Sequence, residues 1–144
     1  MSNASVTWKH GLSFTGTADS GFTLNLGGSA AAGGAEDGFR PMELILVGLA
    51  GCTGMDVVSI LQKKRQNVTD FQVKVSAEKA RTYPTVFTHI QLHYLVSGPG
   101  LDPQAVERAI ELSKDKYCSV SAMLEKTAVI EHTYEILADV PEYA

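Results

Sequence analysis

Cys52 and Cys118 are the two cysteines of this 144-residue chain and the side chains best suited to chemistry beyond packing. Cys52 lies in LILVGLAGCTGMDVV, Leu44 to Val58, a stretch with helical patterning that nevertheless holds Gly48, Gly51 and Gly54. A glycine inside a helix costs roughly 1 kcal/mol relative to alanine. Helical residues three and four apart share a face, so Gly48, Gly51, Cys52 and Met55 form a stripe that is small except at its end. Such a stripe lets another backbone come close to the thiol. Cys118 falls in KYCSV, where one helix is expected to end and another to begin. Unpaired N–H groups and the helix dipole at such a junction favour a thiolate. A lone cysteine in an apolar helix ordinarily behaves as a small inert hydrophobe. Chemistry therefore requires the two thiols to meet in space, which their separation along the chain does not establish.

Other chemistries fit less well. His89 and His93 are four residues apart, as in helical zinc motifs, but the surrounding alternation puts them on a strand. There a separation of four spans roughly 13 Å, too far for one ion. His10 and His132 have no partners nearby in sequence. The segment GGSAAAGGAEDG, Gly27 to Gly38, has neither a GxGxxG nor a GK[ST] pattern, so it reads as a flexible loop and not as a phosphate cradle. No G-x-S-x-G elbow motivates a hydrolase. The net charge of −4 offers no basic footprint for nucleic acid. No metal or organic cofactor is expected.

The elements that must hold the cysteines follow from periodicity. With 44% hydrophobic and 19% charged residues, the composition is that of one globular domain, expected to span residues 1–144. Val6 to Trp8, Phe14 to Thr17 and Phe22 to Leu26 are β-prone, and Asp19-Ser20-Gly21 suits a hairpin turn. Pro41 suits the first turn of a helix, which is expected to run to about Gln66 and to be central and buried, because it is apolar on nearly every face. Phe71, Val73, Val75 and Ala77 alternate with polar residues, as a half-wet strand does. Val86, Ile90, Leu92, Tyr94 and Val96 share a face of a second long strand, expected to pair with the first as a hairpin. Asp102 and Pro103 open another helix, Ser119 to Lys126 a short one, and Thr127 to Leu137 a last strand. The tail Pro141 to Ala144 is expected to be loose. This order indicates an α+β domain with antiparallel sheets, not a βαβ repeat. The N-terminus has no signal-peptide pattern, and the uncharged run Leu44 to Met55 is too short to span a bilayer. A cytoplasmic protein is expected, in a compartment that keeps thiols reduced.

The segment RPMELILVGLAGCTGMD, Arg40 to Asp56, resembles the signature of the OsmC/Ohr family of thiol peroxidases, in which a Pro-x-Glu-Leu helix start precedes a central-helix cysteine. A second cysteine follows the second long helix in that family, as Cys118 does here in YCSV, and Gly11 to Gly16 matches an N-terminal G-x-x-F-x-G. The resemblance implies an intertwined homodimer of OsmC-like α+β fold, with a long central helix, a second helix and active sites at the subunit interface. Close crossing of two central helices would account for the glycines.

The resemblance also implies a reaction. Cys52 would attack a hydroperoxide, organic or hydrogen peroxide, and become a sulfenic acid. Cys118 would resolve it to a disulfide, and an external dithiol would restore both thiols. A free thiol has a pKa of about 8.5, and burial raises it further, so a neighbouring cation is required. The family's N-terminal arginine has no counterpart before Arg40, and Met42 stands where its glutamate follows the proline. Arg40 and Glu43 are the substitute pair expected in the activating shell, with Lys9 or His10 as further sources of charge. The alternative is a non-catalytic dimer of the same fold that binds a small apolar ligand, with Cys52 lining the cleft.

Overall fold

The computed structural model describes residues 1–138; the tail expected to be loose, Pro141 to Ala144, lies outside them. Six strands and three α-helices follow in the order β1 (Ala4–His10), β2 (Ser13–Ala18), β3 (Thr23–Leu26), α1 (Pro41–Lys63), β4 (Asp70–Lys79), β5 (Phe87–Ser97), α2 (Pro103–Leu112), α3 (Ser119–Leu124) and β6 (Val129–Leu137). This is the α+β element order that the periodicity implies. The chain divides into two compact units, Met1–Leu46 and the remainder from Val47.

The first unit is built on the antiparallel meander β1-β2-β3. Gly21 at the β2–β3 turn has φ +86, a conformation other residues rarely adopt. The glycine-rich segment after β3 is more tightly held than a flexible loop. Ser29 caps a short 3₁₀ turn at Ala30–Ala32, and the Ser13 hydroxyl donates to the Asp37 carboxylate at 2.7–2.8 Å. Phe39 N–H donates to Asn25 C=O at 2.9 Å, and Gly27 N–H to Phe39 C=O at 3.0 Å. A Cβ on Gly38 would lie 2.6 Å from the Asn25 backbone, so this approach requires glycine. Composition signals a loop here but carries no information about these returning hydrogen bonds.

In the second unit, β4, β5 and β6 form one sheet with β5 central. β4 and β5 pair antiparallel, as expected. β5 and β6 run parallel, with Ile90 beside Ile130 and Tyr94 beside Tyr134. This corrects the expectation of purely antiparallel sheets. The segment joining β5 to β6 contains both α2 and α3, which is long enough for the crossover that parallel strands require. On β5, Ile90, Leu92, Tyr94 and Val96 are fully buried. Val86 precedes the strand and is exposed.

Helix α1 starts where Glu43 Oε2 accepts from the Arg40 N–H at 3.0 Å, half of a capping box. It ends three residues short of Gln66, where Arg65 turns left-handed at φ +59 and Gln66 N–H donates to Leu61 C=O. By length and composition alone α1 could cross a membrane. Its buried residues are Leu49, Thr53, Gly54, Val57 and Leu61, and all but Gly54 recur every four residues on one face, so the helix expected to be buried is buried along one face. A Cβ on Gly54 would contact the side chains of Phe71 and Val73 on β4 at 3.5 Å. Val47, Gly48, Gly51 and Met55 form a second, exposed stripe. A Cβ on Gly48 or Gly51 would meet no atom within 4 Å.

Candidate functional site: a thiol pair on a buried hydroxyl chain

Cys52 projects from the middle of α1. Cys118 follows a π-helical turn, Ser113–Tyr117, and is the N-cap of α3. The two sulfurs and a carboxylate oxygen of Asp56 all lie within 4.8 Å of one another. Both thiols are free; Cys118 is buried and Cys52 is half-buried. The fold thus joins the two cysteines that the sequence keeps far apart.

Cys118 is anchored on both sides. Its N–H donates to Ser113 C=O at 2.8 Å, and its sulfur accepts from Ser121 N–H at 3.4 Å. Burial pushes the Cys118 thiol above its ordinary pKa, and contact with Cys52 acts the same way; hydrogen bonding from Ser121 opposes both. This direction is opposite to the one that the helix junction suggests in the sequence, because desolvation disfavours the charged form.

Asp56 stands one turn after Cys52 on the same helical face. Its Oδ2 accepts from the Ser113 hydroxyl at 3.0 Å. Ser113 Oγ bonds to Thr53 Oγ1 at 2.8 Å, and Thr53 Oγ1 to the Tyr94 hydroxyl at 2.7 Å. The Tyr94 hydroxyl reaches His132 Nδ1 at 3.0 Å. Ser113, Thr53 and Tyr94 are buried to 1% exposure or less. Burial leads in pushing the Tyr94 phenol up to about 12, against the hydrogen bond from Thr53, so it stays protonated. One polar chain thus runs from the carboxylate beside the sulfurs, through α1, the end of α2 and β5, to β6. The sequence reading missed all five residues. Asp56 had one available signal, its spacing of four from Cys52. Thr53 and Ser113 look like helix-face filler, Tyr94 like an alternating core residue, and His132 has no sequence neighbour to mark it.

His132 stacks on Tyr94, with ring centroids 6.0 Å apart. Burial, with Lys114 next, lowers its pKa below 6.5, while Asp115 opposes. The folded chain then binds fewer protons at His132 than the unfolded chain does. The neutral ring's contribution to stability is complete above about pH 6.5 and is lost as pH falls through the lowered folded pKa. Urea midpoints measured at about pH 7.5 and about pH 5 should fall more for the wild type than for His132→Gln. Equal falls would show that His132 carries no such linkage.

The remaining candidates have other partners. The Arg40 guanidinium pairs with Glu36 at 3.3 Å and donates to Gly38 C=O. Glu43 is engaged by the Arg40 peptide N–H, not by its side chain. Lys9 reaches Asn25 Oδ1 at 3.5 Å. His89 and His93 are cross-strand histidines: His89 meets Glu131 at 3.1 Å, and His93 meets Glu135 at 3.4 Å and Thr133 at 2.6 Å.

Residues 33–133 match the family model described as OsmC-like protein. The chain belongs to the OsmC-like family. It is 45% identical over 135 residues to Protein YhfA of Escherichia coli K12, covering 94% of this chain and 98% of that one. Among solved structures, a hypothetical protein from Aquifex aeolicus VF5 superposes with a TM-score of 0.86 at 28% identity, covering 97% and 98% of the two chains. An organic hydroperoxide resistance protein OsmC from Legionella pneumophila shares the fold, with a TM-score of 0.71 at 16% identity over 94% and 96%. This OsmC-like chain thus carries the two-cysteine pattern of its sequence signature on the expected fold.

Proposed function

We propose that the protein is a cysteine-based hydroperoxide reductase that cycles Cys52 and Cys118 between dithiol and disulfide. The observation that carries this reading is the meeting of both sulfurs within 4.8 Å. Cys52, the more accessible sulfur, attacks the peroxide as thiolate. The O–O bond breaks, the alkoxide takes a proton and leaves as alcohol, and Cys52 becomes a sulfenic acid. The Cys118 thiol then displaces the hydroxyl as water and forms the S–S bond. An external dithiol reduces that bond by exchange and is itself oxidised to a disulfide. The name of the Legionella relative supports a redox role of this general kind.

Arg40 remains our candidate, on the resemblance alone, for the activating cation, and Glu43 for the residue that fixes the start of α1. An unchanged thiol oxidation rate in Arg40→Gln would remove Arg40 from the site.

The chain is proposed to act as one OsmC-like domain over residues 1–144, since the family match crosses both compact units, and as a cytoplasmic homodimer. The exposed stripe of Val47, Gly48, Gly51 and Met55 supports the dimer, because an unpartnered apolar helix face of this kind marks an interaction surface. Met55→Asp should convert the dimer to monomer in sedimentation, with helical circular dichroism retained. A wild type that sediments as monomer would overturn the dimer.

The test of function is to add an organic hydroperoxide or hydrogen peroxide to the reduced protein and count thiols. Rapid loss of both thiols per chain is expected. Loss no faster than in the denatured chain would favour the ligand-binding alternative. The apolar groove of about 430 Å³ lined by Val6, Phe22, Leu24, Leu26 and Leu44 would then be the place to look for the ligand.

A further inference from the structure

Redox chemistry uses the two sulfurs but gives no role to the Asp56 carboxylate beside them or to the hydroxyls that hold it. We propose that Cys52, Asp56 and Cys118 form a three-ligand site for a divalent ion of the zinc class, occupied when the thiol pair is reduced. This goes beyond the peroxide reading and does not depend on it.

The donor set identifies the ion. Two thiolate sulfurs and one carboxylate oxygen suit zinc and its soft relatives; magnesium and calcium take oxygen ligands alone. Tetrahedral zinc has bonds of about 2.3 Å to sulfur and about 2.1 Å to oxygen, which places ligand atoms roughly 3.5–3.8 Å apart. The three donor atoms lie within 4.8 Å of one another. Closing the site needs an adjustment of about 1.3 Å at most, within rotamer motion of two cysteines and an aspartate. Three protein ligands leave the fourth tetrahedral position open to water or a small ligand.

The surroundings hold these ligands as a metal site requires. Cys52 and Asp56 are one turn apart on a long helix. Oδ2 of Asp56 is held by the Ser113 hydroxyl, itself fixed by Thr53 and Tyr94 in the core. Outer partners of this kind orient ligating carboxylates and raise affinity. Cys118 sulfur accepts the Ser121 N–H, a bond that a metal-bound thiolate retains. Ion binding displaces the thiol protons into solvent, so affinity rises with pH. Disulfide formation removes both thiolates and must release the ion.

The test is a titration of the reduced, full-length protein with Co²⁺ as probe, followed by Zn²⁺. One Co²⁺ per chain is expected, with a near-ultraviolet thiolate-to-cobalt charge-transfer band that Zn²⁺ abolishes. The band should be absent from protein oxidised with diamide, a control that requires no mutation. Cys52→Ser and Cys118→Ser should each weaken binding at least about 100-fold, and Asp56→Asn about 10-fold. No charge-transfer band in protein whose two thiols titrate as free would overturn the site, as would a band that survives both cysteine variants. Peroxide oxidation without metal binding would remove this inference alone. Metal binding without peroxide oxidation would remove the peroxidase reading alone.

Discussion

Replacing Cys52 by serine is expected to lower the rate of peroxide reduction at least about a thousandfold. The reason is chemical: a serine hydroxyl is not ionised at neutral pH and cannot hold the oxygen as a reducible sulfenic acid. Cys118→Ser should behave differently. Its first turnover proceeds, because the attacking sulfur remains, but the product stops at the Cys52 sulfenic acid. A dimedone adduct on Cys52 should then accumulate, and thiol loss should fall from two per chain in the wild type to one. Mass spectrometry of the quenched reaction separates these states. A dimedone adduct on Cys118 in the Cys52→Ser variant, formed at the wild-type rate, would reverse the assignment. Full turnover with both cysteines replaced would end it.

The largest effect on stability is expected at Leu92. This residue is fully buried at the middle of the central strand, with Val75 on one side and His132 on the other in register. Its buried neighbours on β5 are Ile90 and Tyr94, so truncation leaves a cavity in the core of the second unit. Leu92→Ala should cost roughly 2–5 kcal/mol, which lowers the melting temperature on the order of 10 °C for a chain of this size. Chemical denaturation checks the value. A cost under about 1 kcal/mol would mean that the core around Tyr94 collapses freely to fill the space. The hydroxyl chain would then be a poor anchor for Asp56.

The element order was legible because every long element announces itself by periodicity and a boundary residue. Asp102 and Pro103 fix one end of α2, and the alternation from Phe71 to Ala77 is visible without a structure. The direction of β6 was not legible. Its alternation reads the same whether it lies parallel or antiparallel to β5, and only the crossover through α2 and α3 decides. The burial of α1 was legible only in part. Its apolar residues cover nearly all faces, but among the described residues the buried ones are Leu49, Thr53, Gly54, Val57 and Leu61. At the site, the resemblance singled out both cysteines, whereas Asp56 and the hydroxyl chain depend on side chains from four elements converging. The expected Arg40–Glu43 partnership survives only as a backbone cap. Spacing placed the two residues together, but Glu36 offered the guanidinium a closer charge.

The π-helical turn at Ser113–Tyr117 has a consequence for how this chain can vary. Its closing bond spans five residues, from Cys118 N–H to Ser113 C=O, one more than an α-helix uses. The turn accommodates an extra residue without breaking the helix, and so sets the angle at which the following sulfur leaves it. Deleting any one residue between Ser113 and Cys118 would let the segment relax to ordinary helical winding and swing that sulfur by about 100°. The count of four residues between this serine and this cysteine therefore sets where the sulfur stands against Cys52.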